Sequence, residues 1–485
     1  MYKLAPIVHA LSKLGLVFSL LLLAPAGVSW FYDDGVFWVF ADTALVTLFG
    51  SLAAWLLTRR HQRELRTRDG FTLVFLFWLG FAAVASLPFF WHLPEMSYTD
   101  AFFEAISGLT TTGATVMNNL DSLPASLNFW RHMLNWLGGM GIIVLAVAIL
   151  PMLGVGGTQL FKAEIPGINK DSKMAPRISQ TAKTLWAIYV FFTVLTCLAL
   201  RLAGMSWFDA VCHAMSCFSL GGFSTHDASI AYFDSVAVEA VLSVSSIIAA
   251  VNFTNHFYAL RQRSMAVYLK DTEVRVMAFT LLGSIAVFTL YLWYKEFYAG
   301  LGESLRFVSF NFISIGLANG YANANFAAWP LLPALWMYFL ANVLANAGSA
   351  GGGIKTIRAV VLFKFSLREM LLLLHPKAVH TVKINGRQIP ERMALTVLAF
   401  IFVYFMTVVL FTFALMASGL DFVTALSGTI ACITNAGPAL GSLGPASNYA
   451  ALSDVQKWLC TVVMLLGRLE IFTVLILFTP AYWRK

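Results

Sequence analysis

Long apolar runs separated by short polar stretches repeat along the whole chain. They lie at 8–31, 35–57, 71–92, 133–154, 184–203, 235–259, 276–295, 331–366, 394–418 and 455–482. Each is long enough to cross a bilayer as a helix, which takes about 20 residues. Four shorter apolar stretches lie between them, at 100–112, 208–220, 303–318 and 421–434. These are too short to span and predict re-entrant segments. The pattern therefore predicts an all-α polytopic membrane protein with ten transmembrane helices. An N-terminal transmembrane hairpin (1–58) precedes four pseudo-fourfold helix–pore-loop–helix repeats. The repeats are expected at 70–160, 182–262, 274–375 (with a broken gate helix) and 390–485.

Composition agrees and narrows the class. Residues AVILMFWYC make up 59% of the chain and charged residues 12%, against about 45–50% and about 25% in soluble domains. A soluble enzyme, a nucleic-acid binder and a disordered chain are thereby excluded. The net charge of +8 is explained by topology. With the N-terminus inside, 26 of the 32 Lys and Arg fall in inner segments. Arg131, Arg201, Lys295, Arg306 and Lys457 fall outside, and Arg468 lies within a span. Such a bias predicts two cytoplasmic termini. The first run also has a signal-peptide reading, because Ala24-Pro25-Ala26 resembles a cleavage site. The apolar run continues through Val28, Trp30 and Phe31, which favours a retained helix. The five cysteines form no CxxC or His/Cys cluster and read as small core residues.

The four short stretches share one plan. Each begins near an acidic or capping residue: Asp100, Asp209, Glu303/Ser304 and Asp421. Each ends in a glycine-containing segment, with Gly113, Gly222, Gly320 and Gly437 standing 109, 98 and 117 residues apart. Half-helices entering from outside point their partially negative C-terminal ends into the membrane, which favours a cation there. Non-helical backbone at membrane depth survives only when packed in protein or lining an aqueous path. Backbone carbonyls can replace a cation's hydration shell. Packing of small residues between helices is the blander explanation of any one loop. Four loops at similar spacing favour a filter.

Four segments carry a family resemblance. They are Leu109-Thr110-Thr111-Thr112-Gly113-Ala114-Thr115, Gly221-Gly222-Phe223-Ser224-Thr225-His226, Gly348-Ser349-Ala350-Gly351-Gly352-Gly353-Ile354-Lys355 and Gly467-Arg468-Leu469-Glu470-Ile471-Phe472. The chain resembles the Trk/Ktr/HKT superfamily of potassium uptake proteins, most closely the TrkH/TrkG type, over essentially its whole length. The resemblance implies potassium uptake across the bacterial inner membrane, with K⁺ as the transported ion and Rb⁺ and Na⁺ as further candidates. It implies a homodimer in the lipid bilayer and a cytosolic TrkA-like nucleotide-binding ring as regulator. No other cofactor and no nucleic acid are expected, and no enzymatic activity.

Carried over by position, the selectivity filter comprises Thr111, Thr112 and Gly113; Gly221 and Gly222; Asn319 and Gly320; and Asn435, Ala436 and Gly437. K⁺ is expected at Thr112, Gly113, Gly222, Gly320 and Gly437. Related plant transporters that prefer sodium carry serine in the first loop, so Gly113 resembles the potassium-permeant version. The third loop, Ala318-Asn319-Gly320-Tyr321, departs from the family's Thr-Ala-Gly-Phe. The glycine-rich loop departs too, with Leu344-Ala345 and Ser349-Ala350 where the family has Gly-Gly and Ser-Thr.

The run at 331–366 should be broken in its middle, since each interior glycine costs a helix about 1 kcal/mol. Gly348, Ser349, Gly351, Gly352 and Gly353 are expected to form a gate with Arg468. Gly348 and Gly353 have the spacing of a phosphate loop, but Ile354 stands where its lysine belongs. A mid-membrane arginine costs roughly 2.5–3.5 kcal/mol on insertion scales and so marks a pathway or a partner. Arg468 is expected to hold the gate loop through its carbonyls, because Glu470, two residues on, faces another side of a helix. Glu104 and Asp121 are expected near the outer vestibule, and His226 as a loop hydrogen-bonder. The alternative function is a Na⁺- or H⁺-coupled cation symporter with weaker K⁺/Na⁺ selectivity. Such a symporter needs carboxylates in the spans, and Glu239 is the candidate.

Overall fold

Uninterrupted apolar sequence and the need to satisfy every backbone amide in lipid both favour helix. A computed structural model describes residues 4–60, 66–144 and 178–484. Among the described residues, six helices are long and apolar enough to cross a membrane, and eight if two bent pairs each count as one span. The chain is thus a multi-pass helical membrane protein. Helices α1 (Ala5–Leu21) and α2 (Leu23–Tyr32) pack with α3 (Phe37–Thr58) as an N-terminal pair of spans. They are followed by α4 (Thr67–His92), α5 (Tyr98–Leu109) and α6 (Ala125–Val144). Beyond 144 the predicted span 133–154 and the loop 162–183 lie largely outside the described residues.

The next helices are α7 (Ile178–Leu202), α8 (Trp207–Phe218), α9 (Val236–Ala250), α10 (Phe253–Gln262) and α11 (Ala266–Lys270). Then come α12 (Thr272–Tyr294), α13 (Leu301–Gly316), α14 (Leu331–Val343) and α15 (Thr356–Leu374). A hairpin, β1 (Lys383–Ile384) with β2 (Arg387–Gln388), turns on Asn385-Gly386, both at positive φ. That pair suits the twist of a two-residue hairpin. The chain closes with α16 (Glu391–Ala417), α17 (Phe422–Thr434), α18 (Asp454–Arg468), α19 (Ile471–Leu475) and α20 (Pro480–Trp483).

The short helices α5, α8, α13 and α17 have 12, 12, 16 and 13 residues. At about 1.5 Å per residue, none covers a hydrocarbon core of about 30 Å. Their caps differ from the sequence expectation. Ser97 and Ser206 cap α5 and α8, while Asp100 and Asp209 sit three residues inside. The three-residue spacing lets each serine accept the aspartate's amide and donate to its carboxylate as well. Asp421 caps α17 as expected, through the Thr424 amide. Helix α13 starts after Gly300 without a side-chain cap, and Ser304 is buried and donates to the Thr289 carbonyl.

Three expected spans are interrupted. The 331–366 run breaks, as predicted, between Val343 and Thr356. The 235–259 run was expected to be one helix but bends by 95° between α9 and α10. There Asn252 caps α10, and the Phe253 amide leaves the helix to reach the Gly348 carbonyl at 3.2 Å. The 455–482 run bends by 111° after Arg468. Glu470 sits in the left-handed region (φ 57°) at that corner. In both cases the break falls at polar residues within an apolar run, where a long-range contact engages the chain.

Candidate ion-binding site

The four short helices end in the same way. In each, the residue just past the end is left-handed without being glycine: Thr111 (φ 52°), Leu220 (54°), Ala318 (59°) and Asn435 (56°). Its amide bonds back three residues, and the next amide bonds back five. The latter bonds are Thr112 to Ser107, Gly221 to Ser216, Asn319 to Ser314 and Ala436 to Ala431, at 2.7–2.8 Å. This is the Schellman closure of a helix C-terminus, which normally employs glycine. An L-residue pays roughly 1–2 kcal/mol in that conformation. Two residues later the chain turns left-handed again, now always at glycine: Gly113 (79°), Gly222 (67°), Gly320 (98°) and Gly437 (80°).

These glycines close a ring. A Cβ on Gly113 would stand 2.2 Å from the Gly221 carbonyl oxygen, and one on Gly222 2.3 Å from that of Asn319. A Cβ on Gly320 would stand 2.7 Å from the Ala436 oxygen, and one on Gly437 2.6 Å from the Thr112 oxygen. Each loop thus presses its glycine against the carbonyl of the next, and the fourth returns to the first. Four equivalent carbonyls, of Thr112, Gly221, Asn319 and Ala436, take part. Four helix C-terminal ends arrive at the same place and add partial negative charge. Such an array can replace the water around a monovalent cation.

Side chains hold the ring from behind. Asn435 donates from Nδ2 to Thr112 Oγ1 (2.9 Å), tying the fourth loop to the first. Tyr449 donates to the Gly437 carbonyl and Tyr338 to the Pro438 carbonyl, both at 2.8 Å. The unusual Asn319 turns its amide nitrogen to Ser246 Oγ, 2.5 Å away, so its backbone keeps the path of the other loops. A cavity on one side of the ring is lined by Gly113, Gly222, Gly320 and Pro438, with His226 and Asp227 at its wall.

The glycine-rich loop between α14 and α15 lies against three of the helix ends. A Cβ on Gly352 would stand 2.2 Å from the Thr434 oxygen; one on Gly351 would stand 3.4 Å from the Leu317 oxygen and from Leu220 Cδ1. Ser349 and Ala350 are buried. The loop is tied down by Asn346 to the Ala250 carbonyl (3.1 Å), Ile354 to the Asn342 carbonyl (2.7 Å) and Ala347 to Glu273 Oε1 (3.0 Å). Arg468, 2% exposed, donates to the Ala350 carbonyl (2.8 Å) and to the Gly138 carbonyl on α6 (2.9 Å). Glu470 instead pairs with Arg358 at 3.0 Å, and that guanidinium lies 4.1 Å over the Phe400 ring.

Several polar residues are not where the sequence placed them. Glu104, expected at a vestibule rim, is fully buried and paired with Arg131 at 2.8 Å. Arg131 and Lys457, counted as outer-segment charges, are both buried; Lys457 pairs with Asp100. The apolar runs carry no information about which charges find partners inside. Glu239 receives Arg306 through two nitrogens, at 2.7–3.2 Å. His226 is the loop hydrogen-bonder expected. It bonds Asp121, faces Asp209 at 3.6 Å and stacks on Tyr232 at 3.5 Å. Burial pulls its pKa down, but the hydrogen bonds and charges of Asp209 and Asp121 outweigh burial and hold it above the ordinary value.

Fold and site together define a class: a multi-pass helical membrane protein whose main chain forms a closed ring of carbonyls at the ends of half-length helices. The sequence model of the TrkH family, described as a cation transport protein, matches residues 37–485. The chain belongs to that family. It is 44% identical over 480 residues to the Trk system potassium uptake protein TrkH of Salmonella typhimurium, covering 99% of each chain. It is 45% identical over 484 residues to TrkH of Halomonas elongata, covering 100% of each. The crystal structure of the potassium transporter TrkH from Vibrio parahaemolyticus superposes with a TM-score of 0.92 at 42% identity, covering 99% of this chain and 100% of that one.

Proposed function

We propose that this chain takes up potassium across the bacterial inner membrane through a four-loop carbonyl filter. The carrying observation is the cyclic contact of each ring glycine with the carbonyl of the next loop. In this reading K⁺ is coordinated at Thr112, Gly113, Gly222, Gly320 and Gly437, within ten spans built from a hairpin and four pore repeats. The relatives named above as potassium uptake proteins support the choice of ion. Gly348, Ser349, Gly351, Gly352 and Gly353 form the gate beneath the filter, and Arg468 is its latch. The latch reading is supported by the two carbonyls that Arg468 joins, one on the loop and one on α6.

Both termini are cytoplasmic in this reading. The split of Lys and Arg between inner and outer segments supports this orientation. The unit is a homodimer regulated by a cytosolic TrkA-like ring, as the family resemblance implies, and it carries out no covalent chemistry. Coupling to Na⁺ or H⁺ is disfavoured by the engagement of Glu239 with Arg306. Complementation of a potassium-uptake-deficient strain, with Rb⁺ and Na⁺ flux in proteoliposomes, tests the assignment. Absence of K⁺ or Rb⁺ flux under every condition would refute it.

A further inference from the structure

One position on the short helices recurs behind the ring. It lies nine residues before each ring glycine and is occupied by Glu104, His213, Asn311 and Gly428. The first three bond to the strand that follows their own glycine. Glu104 accepts from Thr115 Oγ1 and from the Val116 amide, each at 3.0 Å. His213 Nε2 meets Ser224 Oγ at 2.9 Å. Asn311 Nδ2 donates to Asn323 Oδ1 at 2.6 Å. The fourth repeat lacks a side chain there, and Tyr449 and Tyr338 hold its strand by their hydroxyls instead. The supports are therefore graded around the ring, and the charged one is in the first repeat.

Arg131, from α6, extends that charged support across to the second repeat. Its Nε donates to Glu104 Oε1 at 2.8 Å, and its Nη2 to Thr115 Oγ1 at 3.3 Å. Its Nη1 donates to the Ser224 carbonyl and to Asn128 Oδ1, both at 3.1 Å. The guanidinium also lies 4.2 Å over the Phe223 ring, next to ring residue Gly222. Side-chain exposure is 1% for Arg131 and 0% for Glu104. Burying such a pair costs several kcal/mol per ion before any gain, so it is a poor source of stability alone. Its geometry instead fixes one distance, between the strands that follow Gly113 and Gly222.

We propose that Glu104 and Arg131 are positioning residues for ion selectivity, clamping the first and second ring strands at a spacing that suits potassium and resists closure around sodium. The proposal rests on the reading of the ring as the filter. Neither side chain touches the ion; both act through Thr115, Val116, Phe223 and Ser224.

The test is the Rb⁺:Na⁺ uptake ratio of the full-length protein in proteoliposomes, a quantity that a fall in the amount of folded protein does not move. Glu104→Gln keeps the shape and loses the charge, and should lower the ratio about tenfold, the worth of one hydrogen bond to a charged group. Arg131→Gln should do the same. Arg131→Lys, which keeps the charge but cannot bridge Glu104 and Ser224 together, should also lower it. Thr115→Val is a milder variant that removes only the hydroxyl shared by the pair, and should lower the ratio about threefold. An unchanged ratio in folded Glu104→Gln would overturn the proposal. Should Glu104→Gln not insert, an unchanged ratio in Thr115→Val would do so. Gly113→Ala in the same assay separates the two readings. If it leaves the ratio unchanged, the filter reading fails; if it shifts the ratio while the clamp variants do not, only the clamp fails.

Discussion

Adding a single methyl group at Gly113 perturbs the ring with the least other change. The new Cβ would stand 2.2 Å from the Gly221 oxygen and 3.4 Å from Gly222 Cα, both main-chain atoms of the next loop. Ordinary contact needs about 3.5 Å, so the two loops must separate by roughly 1 Å. Gly113 also sits at φ 79°, where an L-side chain adds strain of roughly 1–2 kcal/mol. Overpacking adds about 1–3 kcal/mol. The total, about 2–5 kcal/mol, is met by moving the carbonyl that would face the ion. Rb⁺ and Na⁺ uptake should be measured in proteoliposomes beside Gly283→Ala, a helical glycine with open space at its Cβ position. The expected result for Gly113→Ala is a large loss of Rb⁺ uptake and a lower Rb⁺:Na⁺ ratio, with Gly283→Ala unaffected. Normal selectivity in Gly113→Ala, or equal damage in Gly283→Ala, would refute the reasoning.

Arg468→Ala removes two buried hydrogen bonds from a charged donor, each worth about 1.5–3 kcal/mol. The glycine-rich loop should loosen, and flux without the regulator should rise; unchanged flux would count against a latch. Glu239→Gln should leave K⁺ flux insensitive to Na⁺ and pH gradients, because that carboxylate is held by Arg306; a change in ion coupling would favour the symporter. The outer His226–Asp121 contact should depend on pH with a definite sign. His226 is raised above its ordinary 6.5, so its contribution is full below about that pH and is lost as pH rises through the raised value. Asp121 is lowered from 3.8: burial raises it, but the His226 hydrogen bond and the Asp227 amide outweigh burial. Its contribution is present above that pH and is lost as pH falls through the depressed value. Amide protection factors (exchange corrected for its intrinsic pH dependence) at 119–123 and 225–229 should therefore be highest at mildly acidic pH, and His226→Gln should flatten that profile.

Much of the site was legible because local backbone demands leave marks in sequence. Gly113, Gly222, Gly320 and Gly437 stand where φ is positive and another main chain comes too close for a Cβ. The interruption of 331–366 was legible for a related reason, since clustered glycines cannot sustain a helix. Glu104, His213 and Asn311 became visible as a set only once the four loops were aligned on their glycines.

Other features left no such mark. Thr111, Leu220, Ala318 and Asn435 share a left-handed backbone but no residue type, because the surrounding packing imposes it. Helical geometry predicts the separation of Glu470 from Arg468, but the helix ends at Arg468 and Glu470 stands at the bend, held by Arg358, 112 residues away in the chain. The bends at Asn252 and Glu470 fall at polar residues inside runs apolar enough to pass as single spans, and those residues mark a need for partners without showing a turn.

The sequence by itself determined a membrane-embedded helical chain and four glycine-ended half-helices, since apolar run length and steric need at glycine are local properties. Only the tertiary structure decided the order in which the loops meet, the burial of Glu104 with Arg131, and the two carbonyls that Arg468 joins. Those depend on which surfaces pack together, and a buried charge chooses its partner by three-dimensional proximity, not by position along the chain.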